Sequence, residues 1–203
     1  MNSQQLIDKL VFRRTLKTRE VIEAFKKIDR ISFVPQNLKS EAYGDYPLPI
    51  GDGQTISQPT TVAFMLEALG VKKGNKILEI GAGSGWVTAL LAGLVGENGF
   101  VYAYEINQRV GQFGLSNLSK TGYQNYSYKI EDAKECWQKN APYDRIISGA
   151  AFSEIPKELG SLIKKDGIIV VPTQGMDIQK ITKISEMKFE KEVYPGFVFV
   201  PLK

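Results

Sequence analysis

The sequence predicts an α/β fold: a mostly parallel sheet with helices on both faces, antiparallel C-terminal strands and an N-terminal helical extension. Three observations carry this. Between residues 76 and 171 short apolar runs alternate with segments of helical periodicity, the rhythm of strand–helix units whose strands lie parallel. Before Gly70 apolar residues recur mainly at helical spacing, with Leu6, Ile7 and Leu10 on one face and Val21, Phe25 and Ile28 on another. From Lys180 onward helix punctuation disappears and two extended runs remain.

Taken in order, Thr18 is placed to cap the second helix. Residues 31–53 carry Pro35, Pro47, Pro49, Gly44, Gly51 and Gly53, but also Phe33, Tyr43, Tyr46, Leu48 and Ile50, so they read as a packed loop. Ser57 is expected to cap the next helix, with Pro59 in its first turn, Val62, Met65, Leu66 and Leu69 as its apolar stripe, and Gly70 as its stop. Strands follow at 76–80, 100–105, 126–130, 144–148 and 168–171. Helices are expected over about 86–95, 107–120 and 155–163, and the closing antiparallel pair over 180–188 and 192–200. The chain reads as one domain, with residues 1–56 forming the helical extension and a substrate-side loop and residues 57–203 forming a cofactor-binding core.

Composition narrows the chemistry. There is no histidine, which excludes a Ser-His-Asp hydrolase, a zincin and any imidazole base. Cys136 is the only cysteine, so no internal disulfide forms, and no metal site is expected. Hydrophobic residues make 43% and charged residues 24% of the chain, the balance of a globular protein. No apolar run approaches a membrane span and the first residues are polar, so the expectation is a cytoplasmic protein without membrane contact. The net charge of +4 is spread among interleaved acids and bases, which does not imply a nucleic-acid groove.

The strongest local signal is Ile77-Leu78-Glu79-Ile80-Gly81-Ala82-Gly83-Ser84-Gly85. A strand runs into three alternate glycines and then a helix, which lets backbone N–H groups approach a ligand at the strand's carboxyl end. About 20 residues beyond the last glycine stands Glu105, an acid suited to the two hydroxyls of a ribose. A dinucleotide site has Gly-x-Gly-x-x-Gly, whereas here the third glycine comes one residue early and Trp86 follows. Glu79 would repel a pyrophosphate and suits the cationic amino-acid end of S-adenosylmethionine. The spacing therefore favours S-adenosylmethionine over NAD, and with it a Rossmann-like methyltransferase fold; a tight turn holding no ligand is the bland alternative.

Upstream, Pro47-Leu48-Pro49-Ile50-Gly51-Asp52-Gly53-Gln54-Thr55-Ile56-Ser57-Gln58-Pro59 resembles the signature of the protein-L-isoaspartate O-methyltransferase family, in which Pro-Leu-Pro-Ile-Gly-x-Gly-Gln-Thr-Ile-Ser precedes one residue and a proline. The likeness continues through Ala42-Tyr43, Val62-Ala63, Met65, Leu78–Gly85, Ala141-Pro142-Tyr143-Asp144, Ala150-Ala151 and Ile155-Pro156, Val171-Pro172 and Phe199-Val200-Pro201-Leu202. It spans about residue 20 to the C-terminus. The resemblance implies methyl transfer from S-adenosylmethionine to L-isoaspartyl carboxylates in damaged proteins and peptides, by a monomer. It implies that Ser57 is the active-site serine and that Gln54, Thr55 and Ile56 wrap the cofactor. By the same likeness Glu79, Gly81, Gly83 and Ser84 form the methionine-binding loop, Glu105 is the ribose acid, and Asp132 lies near the adenine amino group. Helix capping is the plainer reading of both Ser57 and Asp132.

Two departures stand out. Glu131-Asp132-Ala133 replaces the common Gly-Asp-Gly, and Thr60, Thr61 and Val62 stand where many members carry a histidine. Two other readings therefore stay open: a relative acting on another carboxylate or a small molecule, and a non-catalytic S-adenosylmethionine-binding domain.

Overall fold

The structure, a computed structural model, describes residues 1–203. Two helices open the chain, α1 (Ser3–Phe12) and α2 (Arg19–Lys27). Asn2 and Gln5 form a reciprocal capping box at α1. Thr18 occupies the N-cap position of α2 but does not cap it. Its hydroxyl and the N–H groups of Lys17 and Thr18 all donate to Glu67, which ties the start of α2 to the next helix.

Residues 30–56 are packed down, as expected, yet they contain an element that the pattern concealed. After two short 3₁₀ turns, β1 (Leu48–Gly51) and β2 (Gln54–Ile56) pair as an antiparallel hairpin. Its turn is made by Gly51, Asp52 and Gly53 at φ of +113°, +49° and +73°, a run that only glycine and short polar residues tolerate well. Pro49 disguises the strand by its missing N–H.

Helix α3 (Pro59–Leu69) follows, stopped by Gly70 in the left-handed conformation. Then come β3 (Lys76–Ile80), α4 (Trp86–Val95), β4 (Phe100–Tyr104), α5 (Gln108–Leu118), β5 (Tyr126–Lys129), α6 (Ala133–Cys136), β6 (Tyr143–Ser148), α7 (Glu158–Leu162), β7 (Ile163–Thr173), β8 (Asp177–Ser185) and β9 (Lys188–Pro195). The seven-stranded sheet has the order β5-β4-β3-β6-β7-β8-β9, parallel from β5 to β7 and antiparallel across β8 and β9. The closing hairpin turns at Glu186-Met187, so Lys188 begins the last strand rather than ending the one before. Pro195 lacks an N–H and Gly196 sits at φ +93°, which ends β9 five residues short of the expected Val200.

The central strands β3, β4 and β6 and the second half of β7 are buried on both faces, as parallel strands require, whereas the edge strand β9 is exposed. Ile77, Val101, Ala103, Ile147 and Val170 face a core shared with α2, α3 and α4, whereas Leu78, Ile80, Tyr104, Ile146 and Ile169 face one shared with α6 and α7. The first of these cores runs from Leu6 to Ile178, so the N-terminal helices and the sheet bury one continuous apolar cluster. The chain leaves β3 in one direction through β4 and β5, then returns to its other side with β6. That reversal opens a crevice beyond the carboxyl ends of β3 and β6, the place where open α/β sheets bind ligands. No helix is long and apolar enough to cross a membrane.

Candidate active site

The glycine turn lies at that crevice. Gly81, Gly83 and Gly85 have φ of +70°, +54° and +81°. At Gly85 a Cβ would stand 2.7 Å from Leu118 Cγ, so positive φ and close helix packing both demand glycine. The turn is held from behind. Glu105 accepts the N–H of Gly83 and of Asn107, each at 2.9 Å, Tyr128 Oη donates to Gly83 O at 2.7 Å, and Asn117 Nδ2 donates to Ser84 O at 3.1 Å. Glu105 thus both faces the groove and fastens its floor, and its remaining lone pairs are free for a ligand.

One groove runs over this turn in three stretches that share Gly81. The first, a cavity, is lined by Thr55, Ile56, Ser57, Glu79, Gly83 and Ser84 among others. The middle stretch is lined by Gln54, Thr55, Gly83 and Glu105, and the third by Glu131, Asp132 and Ala133. Each of the ten residues that the sequence nominated therefore lines the same groove. Asp132 does so while capping α6 through the Lys134 N–H at 2.9 Å, so the plain and functional positions coincide.

Gly149 was missed. It lines the first two stretches, and a Cβ there would meet Gly81 O at 2.5 Å, because β6 must pass close under the glycine turn. Its signal was a small-residue run, Ser148-Gly149-Ala150-Ala151, directly after an apolar strand.

Glu79 is 2% exposed and its one side-chain partner is Thr88 Oγ1, at 2.7 Å. Burial pushes its carboxyl up to about 8, against the lowering by Thr88, and Glu105 raises it further. A buried carboxyl of this kind lacks a cation. The residues fit S-adenosylmethionine: an unmatched acid for the ammonium at one end, Glu105 for the ribose midway, and a glycine cradle that any side chain at Gly149 or Gly85 would disturb. No group of His, Cys, Asp and Glu side chains converges as a metal site.

Ser57 departs from its expected local role. The N-cap of α3 is Gln58, whose side chain makes no cap bond, and the cap is supplied from outside by Asp45, which accepts the Thr60 N–H at 3.0 Å and its hydroxyl at 2.7 Å. Ser57, one residue further out, cannot reach those donors, and its hydroxyl has no partner within the chain. It stands where the first cavity meets an outer groove of about 1260 Å³ lined by Pro47, Gln58, Thr60, Phe197 and Val198, and Thr55, Ser57, Gly149 and Phe199 line both. Thr60 is thus committed to Asp45.

This chain matches the protein-L-isoaspartate(D-aspartate) O-methyltransferase (PCMT) family over residues 1–203. It belongs to that family. It is 40% identical to the protein-L-isoaspartate O-methyltransferase of Ignicoccus hospitalis, over 98% of this chain and 96% of the relative, and 43% identical to that of Dictyoglomus thermophilum, over 93% and 85%. The fold is likewise that of PCMT structures. A Plasmodium falciparum PCMT, crystallised with S-adenosyl-L-homocysteine, superposes with a TM-score of 0.87 at 24% identity over 100% of this chain and 99% of that one. A methyltransferase from Geobacter metallireducens, described as precorrin-6y C5,15-methyltransferase, shares the sheet at a TM-score of 0.56 and 22% identity over 72% and 90%.

Proposed function

We propose that this chain methylates the carboxylate of L-isoaspartyl residues in damaged proteins and peptides, with S-adenosylmethionine as donor, as a single-domain monomer in the cytoplasm. The observation that carries the reading is the junction of two grooves at Ser57 and Gly149, within a whole-chain family match. S-adenosylmethionine supplies a methyl group on a sulfonium, which departs as a neutral thioether. The acceptor carboxylate is ionised at neutral pH, since carboxyl groups titrate near 4, so a chain without histidine lacks nothing as a base. One C–S bond breaks and one C–O bond forms, and two opposite charges vanish together.

The protein's contribution is placement and exclusion of water. In this reading the Ser57 hydroxyl donates to the isoaspartyl carboxylate in the outer groove. Glu79 takes the ammonium, Glu105 the ribose hydroxyls and Asp132 the adenine amino group, while Gln54, Thr55 and Ile56 close the hairpin over the cofactor beside Gly81, Gly83 and Ser84. Residues 1–56 supply the substrate-side wall and residues 57–203 the cofactor core. The methyl ester then has a better leaving group, and the neighbouring backbone nitrogen closes a succinimide without the enzyme. The test is transfer of labelled methyl to an isoaspartyl peptide and to its aspartyl twin. Label on the first alone is expected; label on neither, with cofactor bound, would leave a binding domain.

A further inference from the structure

A buried guanidinium stands behind Ser57. Arg30 is 3% exposed, yet no carboxylate accepts from it. Its Nη1 donates to Ala42 O at 2.7 Å and Gly44 O at 3.3 Å, and its Nη2 to Tyr46 O and Ser57 O, both at 3.1 Å. Nε has no partner at all. Its Cζ lies 5.5 Å from the centre of the Trp86 ring, and Trp86 begins α4 and lines the cofactor cavity. Trp86 Nε1 in turn donates to Ile28 O at 3.4 Å, closing the connection to the segment that carries Arg30.

Burying a charge without an ion-pair partner costs stability, and an apolar side chain of similar volume commonly does better in such a place. Burial pushes the Arg30 pKa down to about 10, so the charge nonetheless persists at neutral pH. What a guanidinium offers that an apolar group does not is a rigid fork of donors. Here the fork gathers four carbonyls from a segment, residues 42–57, that enters the substrate wall. The hydroxyl of Ser57 is unbound and Ser57 does not cap α3, so the orientation of its side chain rests on its backbone.

We propose that Arg30 is a positioning residue for methyl transfer: lying over the Trp86 ring and donating to Ser57 O, it sets the Ser57 hydroxyl at the junction of the two grooves. The proposal rests on the isoaspartate reading above. Lysine preserves the charge but not the fork, and alanine removes both.

The experiment measures kcat and KM for an isoaspartyl peptide in wild type, Arg30→Lys, Arg30→Ala, Ser57→Ala and the Arg30→Lys/Ser57→Ala double variant. S-adenosylmethionine affinity by calorimetry and a denaturant melt accompany each. Arg30→Lys is expected to lower kcat/KM for peptide by about 10- to 100-fold, the scale of a misplacement near 1 Å, while cofactor affinity changes less than about threefold. In the Ser57→Ala background the same change should cost almost nothing further, because coupled residues are not additive. Guanidinium ion at millimolar concentration should restore part of the activity of Arg30→Ala, and ammonium should not.

Multiplicative losses in the double variant, or a lowered melt with kcat/KM per folded molecule unchanged, would overturn the proposal and leave Arg30 a scaffold residue. So would an Arg30→Lys chain that fails to fold. A wild type inactive on the isoaspartyl peptide would instead overturn the functional reading itself.

Discussion

At the residue scale, Ser57 offers the cleanest separation of stability from chemistry. A serine that capped α3 would cost about 1 kcal/mol of stability when replaced by alanine. Because Asp45 does the capping through Thr60, Ser57→Ala should melt within about 0.5 kcal/mol of wild type and lose methyl transfer. Ser57→Asp should transfer worst, since a second carboxylate would face the substrate's own. Single-turnover transfer beside a urea melt decides this, and full activity in the Asp variant removes Ser57 from the site. The complementary change, Asp45→Ala, should lower stability by about 1–2 kcal/mol by uncovering the first turn of α3.

At the element scale, the glycine turn is built as a unit with the strand ends that flank it. Glu105→Gln keeps the volume but replaces one acceptor oxygen, which leaves either the Gly83 or the Asn107 N–H without its partner. Affinity for S-adenosylmethionine should fall by roughly 1–3 kcal/mol, the usual loss for charged hydrogen bonds, with the circular dichroism spectrum retained. Unchanged affinity by calorimetry would mean that the acid only fastens the turn. Gly149→Ala should lose cofactor binding as well, because its methyl would meet Gly81 O at 2.5 Å, backbone that has no flexible end to move aside.

At the scale of the whole molecule, the lack of histidine leaves a distinctive pH dependence. In the free protein Glu79 titrates at about 8, and opposite an ammonium it must be ionised. Below that pH, binding the cofactor expels a proton, so affinity should climb as pH rises from 6 to 8, by up to tenfold per unit. Folding has the opposite sign. The folded state holds the Glu79 proton more tightly than the unfolded chain, so the stability it contributes is complete below about 4.5 and is lost as the pH rises through about 8. Calorimetry at pH 6.5 in two buffers of different ionisation heat should show about one proton released, and Glu79→Gln should show none. With both sites saturated, the transfer step should fall only toward the substrate carboxyl near pH 4, and a limb near 6.5 would mean that a protein carboxyl takes part.

The order of the strands from Lys76 to Val171 and three of the four helices between them were legible in the sequence, the short α6 excepted, and the ten nominated residues line one groove. Strand–helix alternation and glycine spacing are local in the chain, and they report the backbone demands of a nucleotide turn directly. The β1–β2 hairpin was hidden because proline and glycine speak against a strand locally, and only pairing across the Asp52-Gly53 turn makes one. The cap on α3 was assigned to the wrong residue because the true cap, Asp45, is fifteen positions away and arrives through the fold. Arg30 depends on carbonyls brought near by the packed 42–57 segment, so no spacing along the chain announces it, and the small-residue run at Gly149 acquires its meaning only where β6 passes under Gly81. The sequence by itself determined which ligand chemistry the turn can hold, through bond geometry and charge fixed within a few residues. The tertiary structure alone decided which groups are buried without a partner and where two grooves meet, because burial and convergence are properties of distant segments packed together.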